Sequence, residues 1–229
     1  MKNLFFLLVF FPTFLFGQSQ LGLFGSADLT NCNYGWDSFN GSIRNSKEAK
    51  FNTHFGVNYY QKLKEKIWLK VGLGFSSTGY QQQIDGSGLR YGSQHDGQGG
   101  FNPNLPSEDI TIKYNHHFIE VPIALHFDFS NKKINPFVEL GVSTMYYLQT
   151  VSILEQNNRS RNVDKNRANS INQIQIAPTF AFGVNYAFNE KWTLFVQPNF
   201  RYHLTKMVKY FGKEHQWSAG LAVGMRMKL

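Results

Sequence analysis

The chain has 229 residues, with 22 Phe and 11 Tyr, a single cysteine, and a formal net charge of +8. One cysteine excludes an internal disulfide framework, and no later stretch reaches the 18 or so consecutive apolar residues of a spanning helix. The charge comes with no nucleic-acid recognition motif, so nucleic acid is not an expected partner; lipopolysaccharide and outer-membrane lipid are.

Met1-Lys2-Asn3 gives a short basic start, Leu4 to Phe16 an apolar run broken by Pro12, and Gly17 a small residue before Gln18. This is the pattern of a secretory signal peptide over 1–17, with the mature domain over 18–229. Loss of Lys2 with the signal lowers the charge by one.

Eight stretches then alternate with a period of two, the signature of strands with unlike faces. They are Leu21 to Thr30, Phe51 to Gln61, Ile67 to Tyr80, Ile110 to Phe129, Pro136 to Ile153, Gln173 to Phe188, Trp192 to Thr205, and Trp217 to Leu229. The centre of the fourth shows the pattern best. Ile119, Val121, Ile123, Leu125, Phe127 and Phe129 form one face, and Phe118, Glu120, Pro122, Ala124, His126 and Asp128 the other. In the fifth, Glu139, Gly141, Ser143 and Gln149 are assigned to the polar face.

Connections alternate in length. Asn31 to Lys50, Gln81 to Asp109, Leu154 to Ser170 and Lys206 to Gln216 are long, whereas Lys62 to Lys66, Ser130 to Asn135 and Asn189 to Lys191 are short. Even strand number, alternating faces and alternating connections together predict an all-β fold, an eight-stranded antiparallel up-and-down transmembrane β-barrel. Long loops are then extracellular, and both termini periplasmic. A soluble lipocalin-like barrel or sandwich would turn the oily face inward. Against it stand the Gly, Ala, Ser, Asn and Gln of the opposite face, and the aromatics Tyr186, Trp192, Tyr202 and Trp217 near strand ends. Pro122, Pro178 and Pro198 fall inside strands, where each removes a ladder hydrogen bond, so bulges or unpaired positions are expected there. Cys32 falls in the first loop.

The motif HHFIEVPIALHFDF, the turn SNKKINP and the strand FVELGVSTMYY resemble the small outer-membrane β-barrel family of Bacteroidetes-type bacteria, the PorT-like barrels. Phe118, Glu120, Pro122 and Gly141 occupy the matching places. The resemblance implies an outer-membrane barrel and is nearly silent on activity; a place in a larger envelope complex is an expectation of the same kind.

With the polar face inward, charged residues enter a lumen that eight strands leave only wide enough for packed side chains or one small ligand. Buried charges need partners. Glu120 and Glu139, on adjacent strands, are therefore expected to draw Lys70, Arg201 or Arg226 into a structural lumen network. For chemistry the sequence offers little. HExxH, GxSxG and paired Cys/His spacings do not occur. His116 and His117 are adjacent on a strand and point to opposite faces. His126 and Ser130 are the nearest candidates for a lipid A deacylase pair, yet lack the close His-x-Ser arrangement. No catalytic residue, metal or cofactor is expected. The third and fourth long loops are basic, and Arg159, Arg161, Arg167, Lys209, Tyr210 and Lys213 are candidate surface contacts.

Overall fold

The computed structural model describes residues 18–34, 45–84, 110–156, 159–166, 171–207, 209 and 214–229. Its elements are β1 (Ser19–Tyr34), β2 (Asn45–Glu48), β3 (Lys50–Lys64), β4 (Ile67–Ile84), β5 (Ile110–Asp128), β6 (Ile134–Gln156), β7 (Arg159–Asn166), β8 (Ile174–Ala187), β9 (Trp192–Tyr202) and β10 (Glu214–Lys228). Eight of them close a ring of antiparallel neighbours in the order β1-β3-β4-β5-β6-β8-β9-β10. The seam between first and last strands runs without a break from Gln20↔Lys228 to Tyr34↔Glu214. Closure leaves the ring no open strand edge to desolvate, the condition for strands to sit in hydrocarbon.

The oily faces point outward on all eight ring strands. Leu23, Leu73, Ile123, Leu140, Phe182, Val196 and Val223 are exposed, Leu73 to 60%. A soluble protein would bury such a belt, so the inward-facing alternative is excluded. Among the described residues no helix is long and apolar enough to cross a membrane; the strands do the crossing.

Three sequence expectations change. First, β2 and β7 lie in stretches expected to be loop. They pair with upward continuations of β4 (Glu48↔Gln81 to Asn45↔Ile84) and β6 (Thr150↔Asn166 to Gln156↔Arg159). β6 runs ten residues beyond Tyr146, the last of its residues paired with β8, at Ile174. One wall of the barrel, in the order β2-β4-β5-β6-β7, therefore stands above the rest. Second, Cys32 is not a loop thiol but sits in β1, 6% exposed, because β1 continues to Tyr34. Third, β6 carries an extra residue at Leu148, where the register with β5 slips between His117 and Phe118. A bulge shifts the alternation by one. Gln149 is accordingly turned outward, and Thr150 takes the inward place.

The strand prolines are accommodated by gaps and not by bulges. The β4–β5 ladder omits Pro122 and its neighbour Val121 while keeping register from Val71↔Ile123 to Gly74↔Glu120. The β8–β9 ladder likewise omits Pro198 between Ala181↔Asn199 and Val184↔Val196. Pro178 lies just past the last β8–β9 pair, Thr179↔Arg201. On their other sides the three prolines keep their partners Ser143, Val142 and Leu221. In an antiparallel ladder each residue aims both backbone groups at one neighbour, so a proline interrupts one seam only.

Candidate functional site

Among the described residues, the interior is where the fold gathers charged and hydrogen-bonding side chains. It is built in three storeys by the inward positions of the ring strands.

The middle storey holds the charges. Glu120, 1% exposed on β5, accepts from Ser143 Oγ at 2.6 Å and from Arg201 Nη1 at 2.8 Å, with His54 Nε2 at 3.3 Å. Arg201 places its other nitrogen 3.0 Å from His54 Nδ1. Glu139 on β6 pairs with Lys70 Nζ and accepts from Gln197 Nε2 at 3.2 Å. Each carboxylate thus has one cation and at least one further hydrogen-bonding group, the arrangement that makes a buried charge tolerable. Between the pairs lies a cavity of about 60 Å³, lined on its polar side by His54, Lys70, Glu120, Glu139, Gln197 and Arg201 and elsewhere by apolar groups such as Phe24 and Phe195.

The storey nearer the short turns is aromatic. Arg226 lies over the rings of Tyr60, Phe195 and Phe137 at 4.8, 5.4 and 5.6 Å, and donates to Asn185 Oδ1. It meets neither glutamate; the planar guanidinium stacks on aromatic faces, an environment a lysine could not exploit as well. His126, fully buried, spans Glu139 Oε1 (2.9 Å from Nδ1) and Asp128 Oδ1 (3.1 Å from Nε2). Trp68 Nε1 donates to Asp128 Oδ2 at 2.8 Å.

At the long-loop end Phe118, Met145, Tyr147, Ile171, Ala177 and Met207 form an apolar cluster. Tyr147 and Thr150 share a hydrogen bond of 2.6 Å between their hydroxyls, and Thr150 Oγ1 lies 2.8 Å from His116 Nδ1. Beside them Thr78 Oγ1 donates to Gln216 Oε1 at 2.6 Å, tying β4 to β10 across the ring.

Of the residues singled out from sequence, Lys70 and Glu139 meet, Arg201 and Glu120 meet, and Arg226 stands apart on its aromatic rings. His126 is enclosed in the lumen, while Ser130 Oγ, in a turn, accepts the Lys132 backbone N–H at 3.1 Å. His116 is buried inside and His117 stacks on Phe75 at 5.5 Å, on opposite faces of β5. Arg159 and Arg161 belong to the backbone of β7, Lys209 is exposed, and Arg167, Tyr210 and Lys213 lie outside the described residues. Missing from the sequence reading were Trp68, Tyr60, Phe137, Tyr147 and Phe195, all buried. Their inward phase was readable from strand parity, but their apolar character hid it. Among the described residues no group of three or more His, Cys, Asp or Glu is placed to hold a metal.

Comparison with curated proteins yields no match. Among solved structures the chain is similar to Neisserial surface protein A (12% identity, 91% of this chain and 97% of that one, TM-score 0.41). It is also similar to the Yersinia pestis attachment invasion locus protein Ail (11%, 92% and 98%, TM-score 0.39) and to the N-terminal β-barrel domain of Pseudomonas aeruginosa OprF (12%, 92% and 98%, TM-score 0.38). A model of the outer membrane protein beta-barrel domain matches residues 16–167, more than half of the chain. With its closed ring and lipid-facing belt, this protein belongs to the outer membrane protein beta-barrel domain family and is an outer-membrane barrel.

Proposed function

We propose that the protein is a non-enzymatic barrel with a structural or accessory role in the cell envelope, exported by a signal peptide over 1–17, its long loops outside and both termini periplasmic. One observation carries this reading: the lumen is filled along its length. Aromatic rings stacked on Arg226, two ion pairs, and the apolar cluster around Phe118 follow one another, with space only for a few water-sized occupants between the carboxylates. A lumen so filled offers no solute path. Two experiments bear on it. In planar bilayers the purified chain should give no steady large conductance, and from native membranes in mild detergent it should bring down a stoichiometric envelope partner. A steady open pore, or lipid A deacylase or acyltransferase activity of the pure protein, would refute it.

The raised wall supports a second reading, surface recognition. β2 and β7 each have a strand partner on one side only among the described residues, and unpaired strand edges are ready templates for another chain. Arg159, Arg161, Arg167, Lys209, Tyr210 and Lys213 are the contacts this reading assigns. Capture of an extracellular ligand by whole cells, lost on replacing residues 157–170 with a short turn, would favour it over the accessory role.

A further inference from the structure

The charge of this chain is not spread evenly over the barrel. Its short-turn end carries Lys62, Lys64 and Lys66 where β3 turns into β4, and Lys132 and Lys133 where β5 turns into β6. Lys191, in the β8–β9 turn, meets the end of β10, where the Lys228 backbone N–H donates to the Lys191 carbonyl at 2.8 Å. Lys62 is half-buried and the other six are exposed. Only two acidic residues, Glu65 and Glu190, share these turns, and among the described residues neither forms an ion pair with a lysine of this end. Asp128, the nearest inward carboxylate, is engaged by Trp68 and His126. Seven cations against two anions leave a surplus of five, most of the chain's +8.

The ring order spreads these groups around the whole circumference. The β3–β4, β5–β6 and β8–β9 corners follow one another around the ring, and Lys228 closes the circuit next to the seam with β1. The lysines also sit at the edge of the apolar belt. Lys133 Nζ lies 5.1 Å from the ring centre of Tyr186, which is exposed on the lipid-facing side, and Lys66 Nζ reaches the Phe129 carbonyl at 3.2 Å, at the foot of the β5 oily face. An ammonium over an outward tyrosine is where a side chain snorkels from hydrocarbon to the headgroup layer.

We infer that this collar binds the phosphate headgroups of anionic phospholipids in the leaflet at the short-turn end. A protein partner would dock on one side and need a one-sided patch; a collar at a single level, continuous with the lipid-facing belt, matches a surface that surrounds the barrel. Each lysine near an anionic surface contributes about 1 kcal/mol, and the attraction decays within a Debye length of about 8 Å at physiological salt. The inference rests on the bilayer placement of the belt and not on which way the barrel faces.

The test uses the full chain in nanodiscs of phosphatidylcholine with a minority of phosphatidylglycerol, followed by native mass spectrometry of the lipids retained on release. The expected result is enrichment of phosphatidylglycerol by roughly fivefold or more, the equivalent of one lysine contact, falling as salt is raised. The variant Lys64→Gln/Lys66→Gln/Lys132→Gln/Lys133→Gln/Lys191→Gln, all at exposed positions, should lose the enrichment. Arg159→Gln/Arg161→Gln/Lys209→Gln, at the other end, should keep it. Equal retention of the two lipids, an unchanged preference in the five-site variant, or loss in the opposite-end variant overturns the inference. Loss of the whole effect on substituting Lys132 and Lys133 alone also overturns it, and favours an acidic protein seated on that one corner.

Discussion

Replacing Glu120 with alanine tests whether the charges inside the barrel hold it together. The side chain is 1% exposed and accepts from Ser143 and Arg201 at 2.6 and 2.8 Å. Alanine removes both acceptors and leaves the Arg201 guanidinium, 4% exposed, with no counter-charge. Breaking a buried pair from one side costs about 3–5 kcal/mol, mostly the desolvation of the orphaned partner. At about 1.4 kcal/mol per factor of ten, that is a loss of roughly two to three and a half decades in the folded-to-unfolded ratio. Urea unfolding of the barrel in phospholipid vesicles, followed by tryptophan fluorescence and by the heat-dependent gel mobility of folded barrels, measures it. Glu120→Ala/Arg201→Met should then lose less than the sum of the two single variants, by about 1–3 kcal/mol, because the second change removes the orphaned charge. A Glu120→Ala barrel as stable as the native one, or strictly additive variants, would refute the account of the lumen.

Leu140→Arg, on the outward face where Leu140 is 52% exposed, should cost about 2–4 kcal/mol in the same unfolding experiment, the penalty for a cation facing hydrocarbon; an unchanged stability would mean that this face does not meet lipid. Gly141→Ala places a Cβ about 2.5 Å from both the Ile123 carbonyl and Ala124 Cβ, so the strands must part at a cost of about 1–3 kcal/mol. Adding Ala124→Gly should recover part of that loss, and no recovery would locate the clash elsewhere. Trp68→Phe removes the 2.8 Å hydrogen bond to Asp128 while keeping an aromatic ring, and should lower stability by about 1–3 kcal/mol. An unchanged urea midpoint would show the bond to be dispensable.

The eight ring strands were legible because alternation is a period of two whatever the surroundings, and Glu120 and Glu139 announced themselves as charges in the polar phase. What filled the rest of the lumen was harder to read. Tyr60, Phe137 and Phe195 share that inward phase, but an apolar ring looks like a lipid-facing residue until Arg226 is seen lying among the three. A bulge at Leu148 is a property of two strands together, so β6 alone could not disclose that Gln149 turns outward. β2 and β7 escaped for a related reason. NSKE and RSRNVDKN have no two-faced pattern, and they become strands because β4 and β6 extend beyond the rim and offer them unpaired backbone.

The seam joining β1 to β10 couples the first and last parts of the domain, Gln20 to Lys228 and Tyr34 to Glu214. A growing or truncated chain that lacks its final strand would have two ragged borders of bare peptide groups and nowhere greasy to hide them. The cylinder can therefore shut only once β10 is in place beside β1.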